Sequence, residues 1–246
     1  MSHVALRRVA IRLLYDPDLV DRLYADPAGA LVGVELSPDE LTWLTAVPRP
    51  AWRTDPDRSR RLMAALHDEF PATLQLAPAR ATHFFGSPQF HGAIQDRGSV
   101  AAAFGSYMAQ DSDPRVGALA TLEAATAAVR RAPAAVAPSP QGHRRLAAYA
   151  RVVRVPQGSA TLLAAMRSGQ GAPELDIELE DLLVLRVRPS TEVTIESLSP
   201  ELATVLRRAE AGASVEELVR VACALGAEDD EATGLIAQLD DDAVLV

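Results

Sequence analysis

Lysine is absent from this chain, and all 24 basic residues are arginine. With so much alanine, this reflects the codon bias of a GC-rich genome rather than a mechanism. It does exclude a phosphate loop of the G-x-x-x-x-G-K-S/T type. Cysteine is represented only by Cys223, so there is no internal disulfide and no cysteine metal cluster. Cys223 sits in the apolar run Leu218, Val219, Val221, Ala222, Leu225 and reads as a small buried apolar side chain. No stretch approaches the roughly 18 uninterrupted apolar residues of a membrane span. The start, Met1 to Tyr15, carries Arg7, Arg8 and Arg12 inside its apolar pattern. That marks an amphipathic helix rather than a signal peptide, and the cytoplasm is the expected location.

Catalytic patterns are also missing. There is no G-x-G-x-x-G loop and no G-x-S-x-G elbow. The glycines of Gly158-Ser159 and Ser168-Gly169-Gln170-Gly171 read as flexible turns. The histidines are His3, His67, His83, His91 and His143, and none lies three or four residues from another His or Cys. His67-Asp68-Glu69 points three ways from one helix and cannot chelate one ion. His83 and His91 stand eight apart and converge only through the tertiary fold. No metal site, no cofactor and no catalytic residue is expected.

The 246 residues suit one large or two small domains. Hydrophobic content of 48% and charged content of 23% are those of a globular protein. Charge is unevenly placed: residues 1–173 hold 19 Arg and 15 acids, a net of +4, whereas residues 174–246 hold 5 Arg and 18 acids, a net of −13. Such asymmetry bears on partners.

The front of the chain reads as helices opened by good caps. Asp16-Pro17 opens one, Ser37-Pro38-Asp39-Glu40 has the pattern of a capping box, and Asp55-Pro56 opens a long segment with a break at Pro71. Ser87-Pro88, Val100 to Met108, and Asp113-Pro114 to Arg131 continue the series. Three prolines between Ala132 and Pro140 mark a linker, with a boundary near residue 137. Behind it, Leu175, Ile177 and Leu179, then Leu183, Leu185 and Val187, then Val193 and Ile195 alternate with polar residues or line one face, predicting three strands with one face buried. Pro189-Ser190 makes the turn between the second and third. Helices starting at Ser199-Pro200, Ser214 and Asp229 follow, and Ala243 to Val246 is an apolar tail able to pair or pack. The expected fold is α+β: a helical bundle over residues 1–135, then a winged helix-turn-helix-like domain over 141–246 with three strands followed by three helices.

A winged helix suggests DNA, but a segment of net −13 is repelled by phosphate, and its second helix opens with Glu216 and Glu217. A winged helix can instead accept an extended peptide along its free sheet edge.

The residues that carry this reading also resemble a known family. Glu180-Asp181-Leu182-Leu183-Val184-Leu185-Arg186-Val187, Leu198-Ser199-Pro200-Glu201 and Gly212-Ala213-Ser214-Val215-Glu216-Glu217-Leu218 resemble the recognition element of pathways that modify ribosomally made peptides, the domain found in the peptide chaperone of pyrroloquinoline quinone synthesis. With Phe84-Phe85-Gly86-Ser87-Pro88-Gln89-Phe90-His91, Ala102 to Tyr107 and Leu119 to Glu123, the whole chain is similar to the partner subunit of multinuclear non-heme iron oxidases, as in the methanobactin-forming heterodimer. The resemblance implies a non-catalytic accessory subunit. It would bind the leader of a precursor peptide and present the core to a separate iron-dependent TIM-barrel oxidase in a heterodimer. It implies leader binding at the third strand, Thr191, Glu192, Val193, Thr194, Ile195 and Glu196, against Leu235 and Ile236 of the last helix. The aromatics Phe84, Phe85 and Phe90 are expected to meet the larger partner. No membrane and no nucleic acid is involved. The competing readings are a winged-helix transcriptional regulator and a small helical enzyme whose site is assembled from His83, His91 and Glu123.

Overall fold

The structure, a computed structural model, describes residues 3–55, 57–133, 142–187 and 190–246. The proline-rich stretch 134–140, Pro56 and the Pro189 turn lie outside the described residues. The chain falls into two units, residues 1–110 and 111–246. The division therefore precedes the proline-rich stretch, because the last long helix of the front half packs against the strands that follow it.

In the first unit the chain runs through α1 (Val4–Tyr15), α2 (Pro17–Ala25), α3 (Pro27–Ala30), α4 (Pro38–Ala46), α5 (Arg58–Glu69), α6 (Pro71–Leu76), α7 (Pro78–Thr82), α8 (Pro88–Gln95) and α9 (Val100–Met108). The starts are written locally. Asp16 accepts from the Leu19 amide at 2.9 Å. Ser37 and Glu40 close a reciprocal capping box at 3.2 and 2.9 Å, and Ser87 accepts from the Phe90 amide at 3.1 Å. Each satisfies an amide the first turn leaves unpaired. Pro71 separates α5 from α6 as expected. Helix α5 starts at Arg58 rather than at Asp55, whose carboxylate is bound by Arg61 and so does not cap. Helices α3 and α7, each begun by a proline, were not legible as separate elements.

Two apolar groupings stand out among the described residues of this unit. One joins Val9, Leu13, Leu19, Val20, Leu23, Leu31 and Leu44. The other is aromatic: Phe84 lies 5.1 Å from Phe104 and 5.2 Å from Phe90, and Phe70 lies 5.0 Å from Phe104, all edge-on, the arrangement that ring quadrupoles favour.

The second unit contains α10 (Pro114–Arg131), β1 (His143–Arg144), β2 (Ala150–Pro156), α11 (Ser159–Arg167), β3 (Leu179–Arg186), β4 (Val193–Leu198), α12 (Pro200–Glu210), β5 (Ala213–Ser214), α13 (Val215–Ala224) and α14 (Asp229–Asp241). It is a mixed helix and sheet unit. Strands β2, β3 and β4 form an antiparallel sheet in that order, and β1 pairs with β5. The strand expected at 175–180 merges with its successor. β2 ends at Pro156, and at Gly158 (φ +90°) the chain turns into α11. Residues 175–178 then find a backbone partner only in Gln157, which donates to the Glu178 carbonyl at 2.7 Å and accepts from the Asp176 amide at 3.2 Å, and Ile177 is left 96% exposed. The strand that takes its place is β2, and β2 and α11 were both unexpected.

The expectation of a sheet buried on one face also needs correction. Val152, Leu183, Leu185 and Leu198 share one face and belong to the cluster with Val205, Leu206, Leu218 and Ile236 of α12, α13 and α14. Leu182, Val184 and Val155 point the other way and are buried too, on the side where α10 lies against β2 and β3. A sheet covered on both faces explains the unbroken apolar run Leu182-Leu183-Val184-Leu185. The tail pairs as anticipated: the Val246 and Arg145 backbones exchange hydrogen bonds of 2.8 and 2.9 Å, and Leu245 bridges Leu146. Among the described residues no helix is long and apolar enough to cross a membrane.

Candidate functional site

The sheet has two edges, and they differ. β3 is central, and its backbone groups alternate between neighbours. Val187 donates to the Glu192 carbonyl at 2.9 Å and Arg186 to the Tyr149 carbonyl at 3.0 Å. Carried along the register that pairs Leu185 with Thr194 and Leu183 with Glu196, this turns the N–H and C=O groups of Thr194, Glu196 and Leu198 towards β3. Those of Val193, Ile195 and Ser197 face outward. Nothing among the described residues pairs with that edge.

The β2 edge is blunted. By the same parity Ala150, Val152, Arg154 and Pro156 face out. The Ala150 carbonyl accepts from the Arg151 guanidinium at 2.8 Å, and Pro156 has no N–H to offer. Charges and proline are the usual protection of an edge. β4 has no proline, its one charge is Glu196, and it is the edge open to an incoming strand.

The expected site residues fall as follows. The strand is Val193–Leu198 rather than 191–196; Thr191 and Glu192 lie in the hairpin before it, exposed. Val193, Thr194 and Ile195 are half-buried on β4, and Glu196 is exposed beside them. Ile236 is a correction: it is buried in the core of the unit, with Leu235 half-buried against the same cluster. It therefore supports the sheet from beneath and is no open wall of a cleft. The sequence reading missed Ser197, which completes the outward-facing set. No sequence signal marks it, because the parity depends on the hairpin register.

The acids around α14 also serve its own helix. Glu228 and Glu231 close a capping box, and Asp229 and Asp230 stand in the first turn, where the helix dipole favours negative charge. The Cys223 thiol is half-buried and donates to Asp229 at 3.4 Å. Burial, then this carboxylate, pushes its pKa up, so the thiolate is disfavoured.

Of the aromatics expected to meet a partner, Phe84 and Phe90 are fully buried. The loop before α8 folds them inward onto Phe104 and Tyr15, so they form core and not surface. Phe85 is half-buried and stacks on Tyr15 at 5.6 Å. It lines a cleft of about 510 Å³ with Arg12, His83 and Tyr107. His91 instead lines a second cleft, of about 360 Å³, with Arg8, Arg12 and Glu35. Glu123 belongs to the second unit, buried on α10 and engaged in a polar interaction. Among the described residues no group of three His, Cys, Asp or Glu side chains converges to hold a metal ion. No protein-family model matches the chain, and none of the curated proteins matches it.

Proposed function

We propose that the chain is a non-catalytic accessory subunit that binds the leader of a ribosomally made precursor peptide and presents its core to a separate iron-dependent oxidase, with which it forms a heterodimer in the cytoplasm. In this reading the second unit is a winged-helix-like recognition element. The observation that carries it is the free β4 edge, with three consecutive outward-facing sets of backbone groups at Val193, Ile195 and Ser197, beside a β2 edge that is capped. An extended peptide added there gains main-chain hydrogen bonds for affinity and side-chain alternation for specificity. Glu192 and Glu196, both exposed, favour a leader with arginine or lysine and speed its encounter. The exposed charges are screened by salt, so their contribution is modest.

The test is fluorescence anisotropy with a labelled leader taken from any short cysteine-bearing peptide encoded beside this chain's gene. Saturable binding that weakens moderately with salt and disappears when the β4 edge is blocked supports the reading. Absence of binding, or a retarded complex with genomic DNA fragments in its place, overturns it.

A further inference from the structure

The cleft on the first unit between α1 and the turn at Gly33 has the composition of an anion site. Arg8 and Arg12 stand one helical turn apart and line it together, with His91, Glu35 and the apolar side chains of Ala5, Val9 and Val34. Like charges at this spacing repel one another and destabilise a helix. Helix α1 compounds the repulsion: its first turn carries no acid, and Arg7 and Arg8 sit towards the end where the dipole disfavours cations. Arg12, in the last turn beside Asp16, is favoured by the helix dipole and by that carboxylate, whereas Arg8 has neither.

Only one of the two guanidiniums has a counter-charge within the fold, since Arg12 pairs with Asp16. Arg8 makes no ion pair among the described residues. Arg12 forms an ion pair with Asp16 across 3.9 Å, too far for a hydrogen bond, and its Nε is buried without one. Glu35 on the rim pairs with neither arginine. A buried donor left unmade is costly and uncommon. His91, 7% exposed, donates from Nε2 to the Phe85 carbonyl at 3.1 Å, which fixes its tautomer and its place in the wall.

We propose that this cleft binds a compact oxyanion, a phosphate or carboxylate group of a small molecule, between the guanidiniums of Arg8 and Arg12. The group relieves the repulsion between the two arginines and gives Arg8 the counter-charge it lacks. Guanidinium forks match such oxyanions in geometry as well as charge. The apolar walls lower the local dielectric and strengthen the attraction. A volume of about 360 Å³ suits a small ligand and excludes a folded partner. The site is independent of the β4 edge and stands or falls apart from it.

Isothermal titration calorimetry of the full chain in low-chloride buffer tests it, with inorganic phosphate in one arm and citrate in the other. Saturable binding in either arm is expected, and the arm that saturates identifies the anion class. Arg8→Gln and Arg12→Gln each weaken it roughly tenfold to a hundredfold, the worth of a charged hydrogen bond, and Glu35→Gln tightens it. Arg7→Gln, on the same helix but outside the cleft, leaves it unchanged. Because Arg8 is exposed, its variant folds whatever Arg12→Gln does to packing. No saturation in either arm at millimolar anion overturns the proposal. So does binding that survives Arg8→Gln, or that Arg7→Gln weakens equally.

Discussion

Val187 donates its backbone N–H to the carbonyl of Glu192 at 2.9 Å, and this one bond sets the direction of every backbone group on β4. Residues an even number of positions from Glu192 face β3, and those between them face outward. Thr194 is thus part of the sheet's own ladder, whereas Ile195 is part of the free edge.

Proline scanning separates the two. Thr194→Pro removes a hydrogen bond to β3 and lowers the stability of the second unit by about 1–3 kcal/mol. Ile195→Pro removes an outward N–H and costs much less, but abolishes leader binding. Urea denaturation beside anisotropy reads both quantities. Equal leader affinity in wild type and a folded Ile195→Pro variant places the peptide elsewhere.

Asp181, with its side chain 11% exposed, receives both terminal nitrogens of Arg207 and so ties α12 to β3. Asp181→Asn keeps the shape and removes the charge. It is expected to destabilise the second unit by about 1–3 kcal/mol, the range for hydrogen bonds to charged groups. A urea midpoint equal to wild type counts against this role.

The aromatic cluster of the first unit predicts unequal costs for adjacent residues. Phe84→Ala leaves a cavity among Phe90, Phe104 and Tyr107 and costs about 3–5 kcal/mol. Phe85→Ala loses a half-buried stack on Tyr15 and costs about 1–2 kcal/mol. Thermal denaturation orders them; similar losses would mean that both rings are equally buried.

His91 makes the first unit sensitive to acid. Burial, with Arg12 and Arg8 nearby, holds its pKa below the ordinary 6.5, against the opposing pull of the Phe85 carbonyl. The folded state therefore binds fewer protons than the unfolded state once the pH drops below 6.5. Stability is full above that value and falls as the pH descends towards the folded pKa, by at most about 1.4 kcal/mol per pH unit. His91→Gln flattens the urea midpoint between pH 6.5 and 5. An unchanged slope in the variant assigns the acid sensitivity to other groups.

Much of the helical framework was legible because its signals are local. Ser37 and Glu40, Ser87 before Pro88, Ser199 before Pro200 and Ser214 before Glu217 each satisfy amides within three residues, so four or five consecutive residues suffice to predict a start. The C-terminal pairing of Val246 with Arg145 was only half legible: an apolar tail announces burial, not its partner.

What escaped the sequence depends on residues far apart in the chain. β2 hides because Arg151 and Arg154 interrupt its apolar pattern, and α11 because its start at Gly158 has no side-chain cap. Phe84 and Phe90 carry no mark in the sequence that tells core from interface; rings from α9 and the loop before α8 decide it by enclosing them. The sequence by itself determined where helices begin, which strand segments alternate and how charge divides along the chain. Only the tertiary structure decided which edge of the sheet stays open and which way Ile195 faces. It alone placed Arg8, Arg12 and His91 around one cleft, because register and packing join residues that no local rule connects.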